Sequence, residues 1–431
     1  MTALEIPVDL LTERFDRSST ELTRTYEIGG TIYSSTVDVP SPTDDDRGDW
    51  WRAFLAGQRP AASESRGQIR SLDLFCGPGG LALGFGQAAR ELGYQFVSEA
   101  AVDEDAGAVE IYASNHETRQ RSSRSVSALI DFQVRGQAEK AKFRYPPEVI
   151  AEELSELRGR VDVVLAGPPC QGHSNLNNHT RRTDRRNELY LTVPAFAIAT
   201  DASMVVIENV PAVIHDRQHV VATTERLLRE NGYEVTTGRI MADRIGWPQT
   251  RQRFFLLARK GTAPLAPELV QSAIGEPKPR SVWWAIEDLV DRGADDPMMP
   301  QVELSEENRR RIDWLFDNNE FNLPMSERPE CHQDGTTYNA VYGRLFRDKP
   351  APTITSGFMT PGRGRYIHPT QRRTLTPREA ARIQGFPDTY VFHPDRSHPS
   401  SKAQLGKWIG DAVPMPLGHA AGIAVLGATP H

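Results

Sequence analysis

The sequence contains little cysteine and no long apolar run, and both absences narrow the classes of protein that it can represent. Its three cysteines, Cys76, Cys170 and Cys331, are widely spaced and form no CxxC pair. Isolated thiols in odd number predict neither a disulfide framework nor a zinc site, so we expect no bound metal. No apolar run approaches the roughly 20 residues of a membrane span, and the N-terminus lacks a basic region followed by an apolar stretch. We therefore expect a cytoplasmic protein with no membrane partner.

Positive charges are outnumbered by negative ones in the whole chain, but they are concentrated in one region. The 431 residues carry a formal net charge of -7, which by itself argues weakly against a nucleic-acid partner. Residues 341–385 nevertheless contain nine Lys and Arg residues against two acids, whereas residues 1–60 contain eleven acids against six arginines. Phosphate contacts depend on the local field and not on the total charge. The basic stretch is therefore compatible with a docked polyanion or with an ordinary solvated surface.

Strand-like and helix-like runs alternate from residue 69 onward. VDVVLAG, MVVIENV and RFFLLAR are almost continuously apolar and are separated by helix-like segments. Strands of this kind are buried on both faces, which indicates a largely parallel sheet covered by helices. The sequence therefore predicts an α/β, doubly wound, mainly parallel Rossmann-like fold, in which ligands bind beyond the carboxyl ends of the strands. The alternation is lost between about 262 and 350, which indicates a smaller inserted region.

Local signals outside this alternation predict further elements. Two alternating segments around Gly29 and Gly30 predict a hairpin, and DWWRAFLAG predicts a short helix after it. LTPREAARIQGFPD predicts a helix in which Thr376 is the N-cap, Glu379 completes a capping box and Gly385 marks the end.

The segment DLFCGPGGLA at 73–82 has the pattern of a nucleotide-binding turn. Gly77, Gly79 and Ala82 follow an apolar strand and open a helix, and Asp103 ends the next strand 21 residues after Ala82. Glycines let a ligand approach the backbone, and the acid can accept hydrogen bonds from ribose hydroxyls. The pattern alone does not separate NAD from S-adenosylmethionine, and a tight turn that only needs glycine is the alternative.

AGPPCQGHS at 166–174 holds a cysteine at the mouth of the predicted sheet. Pro168 and Pro169 each fix φ at about -65°, so the loop that carries Cys170 starts stiff. A thiolate presented in a set direction is typical of a nucleophile, although a lone cysteine is more often a small buried hydrophobe.

Two further candidate groups follow later strands. Glu208 ends the run MVVIE, where desolvation by the preceding apolar residues favours its protonated form and suits proton donation. Arg251 and Arg253 lie on one face of QTRQRFF and can bind an oxygen or a phosphate. An ordinary strand-end acid and ordinary surface arginines are the alternatives.

Taken in order, these segments resemble the DNA cytosine-5 methyltransferase family. The matching motifs are DLFCGPGG, GPPCQGHS, DRRNELY, ENV, QTRQRFF, RTLTPREAARIQGFPD and GDAVP. The resemblance implies methylation of cytosine C5 in double-stranded DNA at a specific short site. It makes Cys170 the nucleophile at C6 and gives Glu208 the role of holding and protonating N3, while Arg253 contacts the base with support from Arg251. The cytosine must then be flipped out of the duplex to reach Cys170.

The same resemblance implies S-adenosyl-L-methionine as the cofactor and assigns residues to the cofactor and to DNA. Asp103 takes the ribose, and the further cofactor residues are Phe75, Gly77, Gly79, Gly80, Pro168, Leu189, Asp411, Ala412 and Val413. The expected DNA contacts are Gln171, His173, Ser174, Arg363 and Arg365. A bacterial restriction-modification or phage-defence system is the expected setting, with cognate restriction or defence proteins as partners.

By this resemblance the chain has four parts, and three of its positions depart from the usual family residues. The parts are an N-terminal extension of unpredicted role (1–66), the first part of a catalytic and cofactor-binding domain (67–261), a target-recognition region (262–370) and the C-terminal part of the catalytic domain (371–431). His173 replaces the usual Phe, Ser125 stands near the place of an acid that contacts adenine, and Asp411 replaces the usual Asn. Ser125 and Asp411 keep a catalytically silent DNA-binding member open as an alternative, and an RNA cytosine-5 methyltransferase stays open because one branch of this family acts on tRNA. An NAD-dependent oxidoreductase is supported only by the glycine turn with Asp103.

Overall fold

The chain divides into two compact units, each built from separate segments. The first unit is formed by Met1–Met241, Gln252–Gly275 and Val413–His431, and the second by Ala242–Arg251 and Glu276–Ala412. The predicted boundaries divide the chain by role and stay a prediction. The computed structural model describes residues 10–169, 189–275, 278–290, 292, 296–299, 301–330, 340–395 and 397–427.

The described strands, numbered in chain order, all belong to the first unit. They are β1 (Leu11–Arg17), β2 (Glu21–Ile28), β3 (Thr31–Asp38), β4 (Ala61–Ala62), β5 (Gln68–Leu74), β6 (Gln95–Val102), β7 (Gln120–Ser122), β8 (Ile130–Asp131), β9 (Val134–Arg135), β10 (Lys142–Phe143), β11 (Glu148–Val149), β12 (Val163–Ala166), β13 (Met204–Asn209), β14 (Tyr233–Met241) and β15 (Gln252–Lys260).

A seven-stranded sheet in the order β14-β15-β13-β12-β5-β6-β7 is the centre of this unit. Strand β12 pairs in parallel with β13 and β5, and the parallel pairing continues through β6 to β7. Strand β15 is antiparallel to both β13 and β14. Every residue of β12 and β13 is buried, as expected for strands covered on both faces. The α/β, mainly parallel Rossmann-like fold is therefore confirmed.

The carboxyl ends of the parallel strands share one edge of the sheet. Phe75 follows β5, Asp103 follows β6, Gly167 follows β12, and Glu208 lies at the end of β13. Groups that are far apart in the sequence are thus brought to the edge where the sequence predicts chemistry.

Helices connect these strands and form most of the described regular structure of the second unit. The helices of the first unit are α1 (Asp46–Leu55), α2 (Gly80–Glu91), α3 (Ala106–His116), α4 (Thr192–Ala199), α5 (Val220–Arg229), α6 (Pro267–Ala273) and α11 (Met415–Leu426). Those of the second unit are α7 (Val282–Ile286), α8 (Glu306–Asp317), α9 (Pro377–Gln384) and α10 (Lys402–Asp411).

The N-terminal residues form a small antiparallel sheet in the order β1-β2-β3-β4. Helix α1 lies between β3 and β4 in the chain. Strands β2 and β3 meet at the pair Ile28 and Thr31, with Gly29 at φ 52° and Gly30 at φ 81° between them. Two consecutive left-handed residues are what a two-residue hairpin turn needs. The predicted hairpin and the predicted helix after it are both confirmed. We call residues 10–62 the N-terminal module.

The predicted capping of α9 in the second unit is also confirmed. The Thr376 side chain accepts from the Glu379 backbone, the Glu379 side chain accepts from the Thr376 backbone, and Gly385 ends the helix in the left-handed conformation at φ 90°. Both bonds satisfy helix-end donors that would otherwise lack partners.

One described helical stretch, Lys402–Leu426, is long and apolar enough to cross a membrane, but 89% of its most apolar part is buried inside the protein. Such burial is typical of a core helix, and the stretch is divided into α10 and α11.

Candidate active site

The turn after β5 is held in a conformation that few residues adopt. Phe75 has φ 54°, Gly77 has φ 51° and Gly79 has φ 95°. Positive φ costs a bulky residue such as phenylalanine conformational energy, and such strain is concentrated at functional sites. Gly79 is the N-cap of α2, so the turn delivers the chain directly to the positive end of a helix dipole.

Asp103 fixes this turn from the end of the neighbouring strand. One carboxylate oxygen accepts from the Gly77 backbone N–H at 2.9 Å, and the other accepts from the Asp105 N–H at 2.9 Å. Asp103, the residue predicted to bind the ribose, therefore lies beside the predicted glycine turn. A methyl group added to Gly77 meets nothing within 4 Å among the residues that the structure describes. The open turn, the helix N-terminus and the carboxylate together fit a nucleoside ligand.

Two buried residues, Asp73 near the end of β5 and Cys76 in the turn, carry titratable groups. Burial raises the pKa of both the Asp73 carboxyl and the Cys76 thiol well above their usual range. The Cys76 thiol is therefore neutral at physiological pH, which makes it a structural thiol instead of a nucleophile.

His116, at the end of α3, is a contact that sequence reasoning missed. Its ring hydrogen-bonds the Gly79 backbone and lies 4.5 Å from the Tyr112 ring, centroid to centroid. Burial lowers the pKa of His116 to about 4, so the neutral ring has a single N–H to donate. A histidine 37 residues from its partner has no local pattern that would reveal the contact.

Glu208 and Arg253 form an ion pair on adjacent strands. The Arg253 Nε atom lies 2.6 Å from Glu208 Oε1, and the two side chains are 14% and 9% exposed. Burial disfavours the charge on the carboxylate, whereas the guanidinium stabilises it, so the two influences oppose each other. The sequence predicts the burial but not the direct pairing.

Gly167 is the point at which the candidate groups of the first unit converge. A methyl group on Gly167 lies 3.8 Å from Glu208 Oε2, 3.8 Å from the Phe75 carbonyl oxygen and 3.8 Å from Val413 Cγ2. The next residue, Pro168, is buried, and its carbonyl accepts a hydrogen bond from Asn209 Nδ2 at 3.3 Å. The start of the proline loop is therefore tied to the strand end that carries Glu208. The predicted nucleophile Cys170 and the predicted DNA contacts Gln171, His173 and Ser174 lie outside the described residues.

The remaining candidates of the first unit occupy ordinary positions. Leu189 is half-buried, and its carbonyl accepts from the Thr192 hydroxyl at 2.7 Å. Gly80 is the first residue of α2. The Ser125 hydroxyl bonds that of Ser127 at 3.1 Å in an exposed position.

Arg251, Asp411 and Ala412 belong to the second unit. The buried Arg251 guanidinium donates to the Ile354 carbonyl at 2.9 Å and the Gly410 carbonyl at 3.2 Å, so it holds backbone in place. Asp411 is exposed at the last position of α10, and Ala412 caps that helix.

The two predicted groove arginines differ from each other. Arg365 donates to the carbonyls of Phe321 and Arg344, both at 2.8 Å, and to the Asn322 side chain. Arg363 is exposed on the surface. Arg365 therefore forms hydrogen bonds within the protein, whereas Arg363 is exposed. DNA contact stays a prediction for both residues.

The basic stretch 341–385 is partly neutralised by acids of its own unit. Four of its nine cations form ion pairs: Arg372 with Asp313 and Asp317, Arg373 with Glu379, Arg378 with Asp296, and Arg382 with Asp288 and Asp388. Arg347, Lys349 and Arg363 are exposed, and no acidic partner for them occurs among the described residues. We call these three residues the exposed cations.

Comparison with known proteins identifies the family. The family model for C-5 cytosine-specific DNA methylase matches residues 69–425. Type II methyltransferase M1.BsuMI of Bacillus subtilis is 38% identical over 362 residues, which are 84% of this chain and 81% of that protein. Type II methyltransferase M.DdeI of Desulfomicrobium norvegicum is 28% identical, covering 81% of this chain and 86% of that protein.

Solved structures give the same fold. A putative DNA modification methyltransferase encoded within an E. coli prophage aligns with a TM-score of 0.53 at 21% identity, covering 82% of this chain and 98% of that one. S. pombe Dnmt2 methyltransferase aligns with a TM-score of 0.54 at 18% identity, covering 83% and 98%. The chain belongs to the C-5 cytosine-specific DNA methylase family and is a DNA (cytosine-5)-methyltransferase.

Proposed function

We propose that the protein transfers a methyl group from S-adenosyl-L-methionine to C5 of a flipped cytosine, at a specific short site in double-stranded DNA. The observation that supports this most is the convergence at Gly167, where Glu208, the cofactor turn and Val413 meet three residues before Cys170. A thiol, an acid and a nucleoside site at one strand edge are the groups that this reaction needs.

Cys170 attacks C6 of the cytosine as a thiolate and forms a carbon–sulfur bond. Glu208 donates a proton to N3 as electron density moves into the ring, and Arg253 holds the base oxygen and orients the Glu208 carboxylate. Bound S-adenosyl-L-methionine would supply an electrophilic methyl group, which C5 takes up as the methyl–sulfur bond breaks and S-adenosyl-L-homocysteine is left. Transfer of the C5 proton to solvent then breaks the C6–sulfur bond, which expels the Cys170 thiolate and restores the aromatic ring. The thiolate is regenerated, and N3 returns its proton to Glu208, so the chain is unchanged after one turnover.

Residues of the first unit would hold the cofactor. Asp103 accepts from ribose hydroxyls, Gly77 and Gly79 allow close backbone approach, and Val413 packs against the ligand. Leu189 and Pro168 complete the apolar wall. Asp411 and Ala412, which belong to the second unit, are further contacts only by the family resemblance.

DNA binding would use the 262–370 region together with the exposed cations. Arg347, Lys349 and Arg363 have the chemistry to bind phosphates, which position a duplex without reading its sequence. Base flipping costs a few kcal/mol and exposes the cytosine to Cys170. A bacterial restriction-modification or phage-defence role, with cognate defence proteins and a cytoplasmic, nucleoid-associated location, fits this activity.

Covalent trapping tests the proposal. Duplex DNA carrying 5-fluorocytosine in the target site, incubated with protein and S-adenosyl-L-methionine, should give a complex that survives denaturation, because fluorine cannot leave as a proton does. The variant Cys170→Ser should give none, whereas the matched variant Cys76→Ser should still trap. Absence of trapping on a genomic library of duplexes would contradict the proposal.

Two further measurements decide between the alternatives. Micromolar binding of S-adenosyl-L-methionine in calorimetry would count against a silent DNA-binding member, and its absence would favour one. Preferential transfer to tRNA in a competition with duplex DNA would indicate an RNA methyltransferase. Methylome sequencing of an expressing host then gives the target site.

A further inference from the structure

The N-terminal module lies outside the 69–425 family match, yet a buried carboxylate joins it to the rest of the first unit. Glu91, the last residue of α2, accepts hydrogen bonds from Trp50 Nε1 at 3.1 Å and from Tyr26 Oη at 3.3 Å, both in the module. The Arg24 guanidinium donates to the same carboxylate at 3.3 Å, and Arg24 and Glu91 side chains are 1% and 0% exposed. The module therefore contacts the end of α2 through three donors.

The cation in this contact is held on every side. Its Cζ atom lies 4.8 to 5.6 Å from the ring centroids of Phe15, Tyr26, Trp50 and Trp51, and Glu13 pairs with it at 2.5 Å. Aromatic faces and carboxylates both stabilise a desolvated cation. Arg24 is thus fixed in position, which allows it to fix Glu91 in turn.

Glu91 also connects α2 to α11. His419 Nε2 lies 2.7 Å from Glu91 Oε2, and the His419 ring packs edge-on against Trp51 at 5.1 Å. Burial raises the pKa of Glu91, but Arg24 and His419 outweigh burial and lower it to about 2. The carboxylate is therefore charged and bridges the module, α2 and α11.

The two helices touch backbone to backbone along glycines. A methyl group on Gly84 would lie 2.1 Å from the Met415 carbonyl oxygen, and one on Gly418 would lie 2.8 Å from the Leu81 carbonyl oxygen. Contacts this close leave no side-chain layer to absorb a shift between helices. A displacement of α11 is therefore transmitted to the first turn of α2.

Both helices begin at the candidate cofactor site. Helix α2 starts at Gly80, directly after the glycine turn, and α11 starts at Met415, two residues after Val413. We infer that the N-terminal module is a positioning element for cofactor binding, in which Arg24 acts through Glu91 to set α2 and α11 and thereby Gly80 and Val413. The identity of the ligand rests on the proposed function, whereas the positioning of the helices does not.

The test compares Arg24→Met with Arg17→Met in the full-length chain. Arg17 pairs with Asp46 and Asp49 inside the module, so its replacement perturbs the module without touching Glu91. We expect Arg24→Met to weaken S-adenosyl-L-methionine binding about tenfold in calorimetry, with kcat at saturating cofactor within about twofold of wild type. Arg24→Lys should recover part of the affinity, and Arg17→Met should bind like the wild type.

A merely structural role predicts a different pattern, namely fewer active molecules with unchanged KM for the cofactor. Folded Arg24→Met with wild-type cofactor affinity would overturn the inference. If Arg24→Met does not fold, Glu91→Gln keeps the shape of the contact, removes its charge and is judged by the same affinity criterion.

Hydrogen exchange separates this inference from the proposed function. In the absence of cofactor, Arg24→Met or Glu91→Gln should lose amide protection in 80–91 and 415–426, and Arg17→Met should not. If the wild type binds no S-adenosyl-L-methionine, the proposed function fails while the exchange result still decides the positioning. Unchanged protection in both helices would overturn it.

Discussion

The acidic N-terminal stretch and the basic 341–385 stretch differ in how their charged side chains are paired and buried. At the N-terminus, Glu13 pairs with Arg24 and Arg47 inside a closed aromatic cluster. In the 341–385 stretch, four cations have acidic partners in their own unit, and the exposed cations lie on the surface. Formal charge in a sequence is therefore a poor guide to the field that a ligand meets, because pairing decides which charges are available.

The largest expected effect comes from removing the buried carboxylate that pairs with Arg24. Glu91→Leu leaves the Arg24 guanidinium desolvated with fewer partners, and removal of one member of a buried ion pair costs about 3–5 kcal/mol. Urea unfolding should show a loss of this size. Glu110→Leu is the matched control, since Glu110 pairs with Arg121 on the surface at 49% and 55% exposure. A loss of unfolding free energy below about 1 kcal/mol for Glu91→Leu would mean that Glu91 does not hold the N-terminal module to α2 in the way described above.

The second effect is a pH dependence in the basic stretch. Burial lowers the pKa of His368 from 6.5 to about 4, so its contribution to stability is fully present above pH 6.5 and is lost as the pH falls toward 4. The contribution is on the order of 3 kcal/mol. His368→Asn keeps an acceptor for the Thr370 and Gln371 backbone N–H groups that His368 Nδ1 now serves, but it cannot titrate.

As the pH is lowered from 7 to 4, the unfolding free energy should therefore fall less steeply for His368→Asn than for the wild type. His116, whose pKa is also about 4, continues to titrate in the variant, so some slope remains. Glu91, with a pKa of about 2, adds its dependence only below about pH 4.5. Identical slopes for variant and wild type would contradict the assignment.

A third effect concerns the exposed cations. Replacement of Arg347, Lys349 and Arg363 by alanine should weaken duplex binding by roughly 1 kcal/mol per cation, because alanine cannot bind a phosphate. The slope of log K against log salt should fall by about 0.9 for each phosphate that the variant no longer neutralises. Fluorescence anisotropy on specific and random duplexes measures both, and equal weakening on the two is the mark of binding to the DNA backbone. An unchanged slope would place the DNA elsewhere.

The smallest expected effect completes the comparison. Arg372→Ala removes a cation of the same stretch that pairs with Asp313 and Asp317 at the surface. Neither the salt slope nor the unfolding free energy should change measurably, because surface ion pairs contribute little. A slope change equal to that of one exposed cation would show that pairing does not remove Arg372 from the DNA surface.

Sequence patterns predicted the elements whose signals are local. Strands β12 and β13 are continuously apolar, and the α9 cap follows from Thr376 and Glu379 three residues apart. Strand β14 was missed because it is an edge strand: it mixes buried and partly exposed residues and so lacks a continuous apolar run. An antiparallel strand between β13 and β14 also has no local mark.

The candidate site was predictable where one strand and its loop supply the group, and not where a partner comes from far away. The proximity of Asp103 to the glycine turn follows from parallel strand ends. The contact between Arg24 and Glu91 joins residues 67 apart, and Arg365 is engaged by carbonyls 21 and 44 residues away. Such pairings are set by packing, and no spacing rule predicts them.

The second unit is built from two stretches of chain, so the polypeptide passes between the units four times, at 241/242, 251/252, 275/276 and 412/413. Within that unit, the short stretch is bound to the long one: Trp247 donates to the Ile383 carbonyl and Arg251 to those of Ile354 and Gly410. A chimera that exchanges the second unit with that of a relative must therefore carry 242–251 together with 276–412. Transfer of the long stretch alone would pair a foreign backbone with donors that were selected for this one.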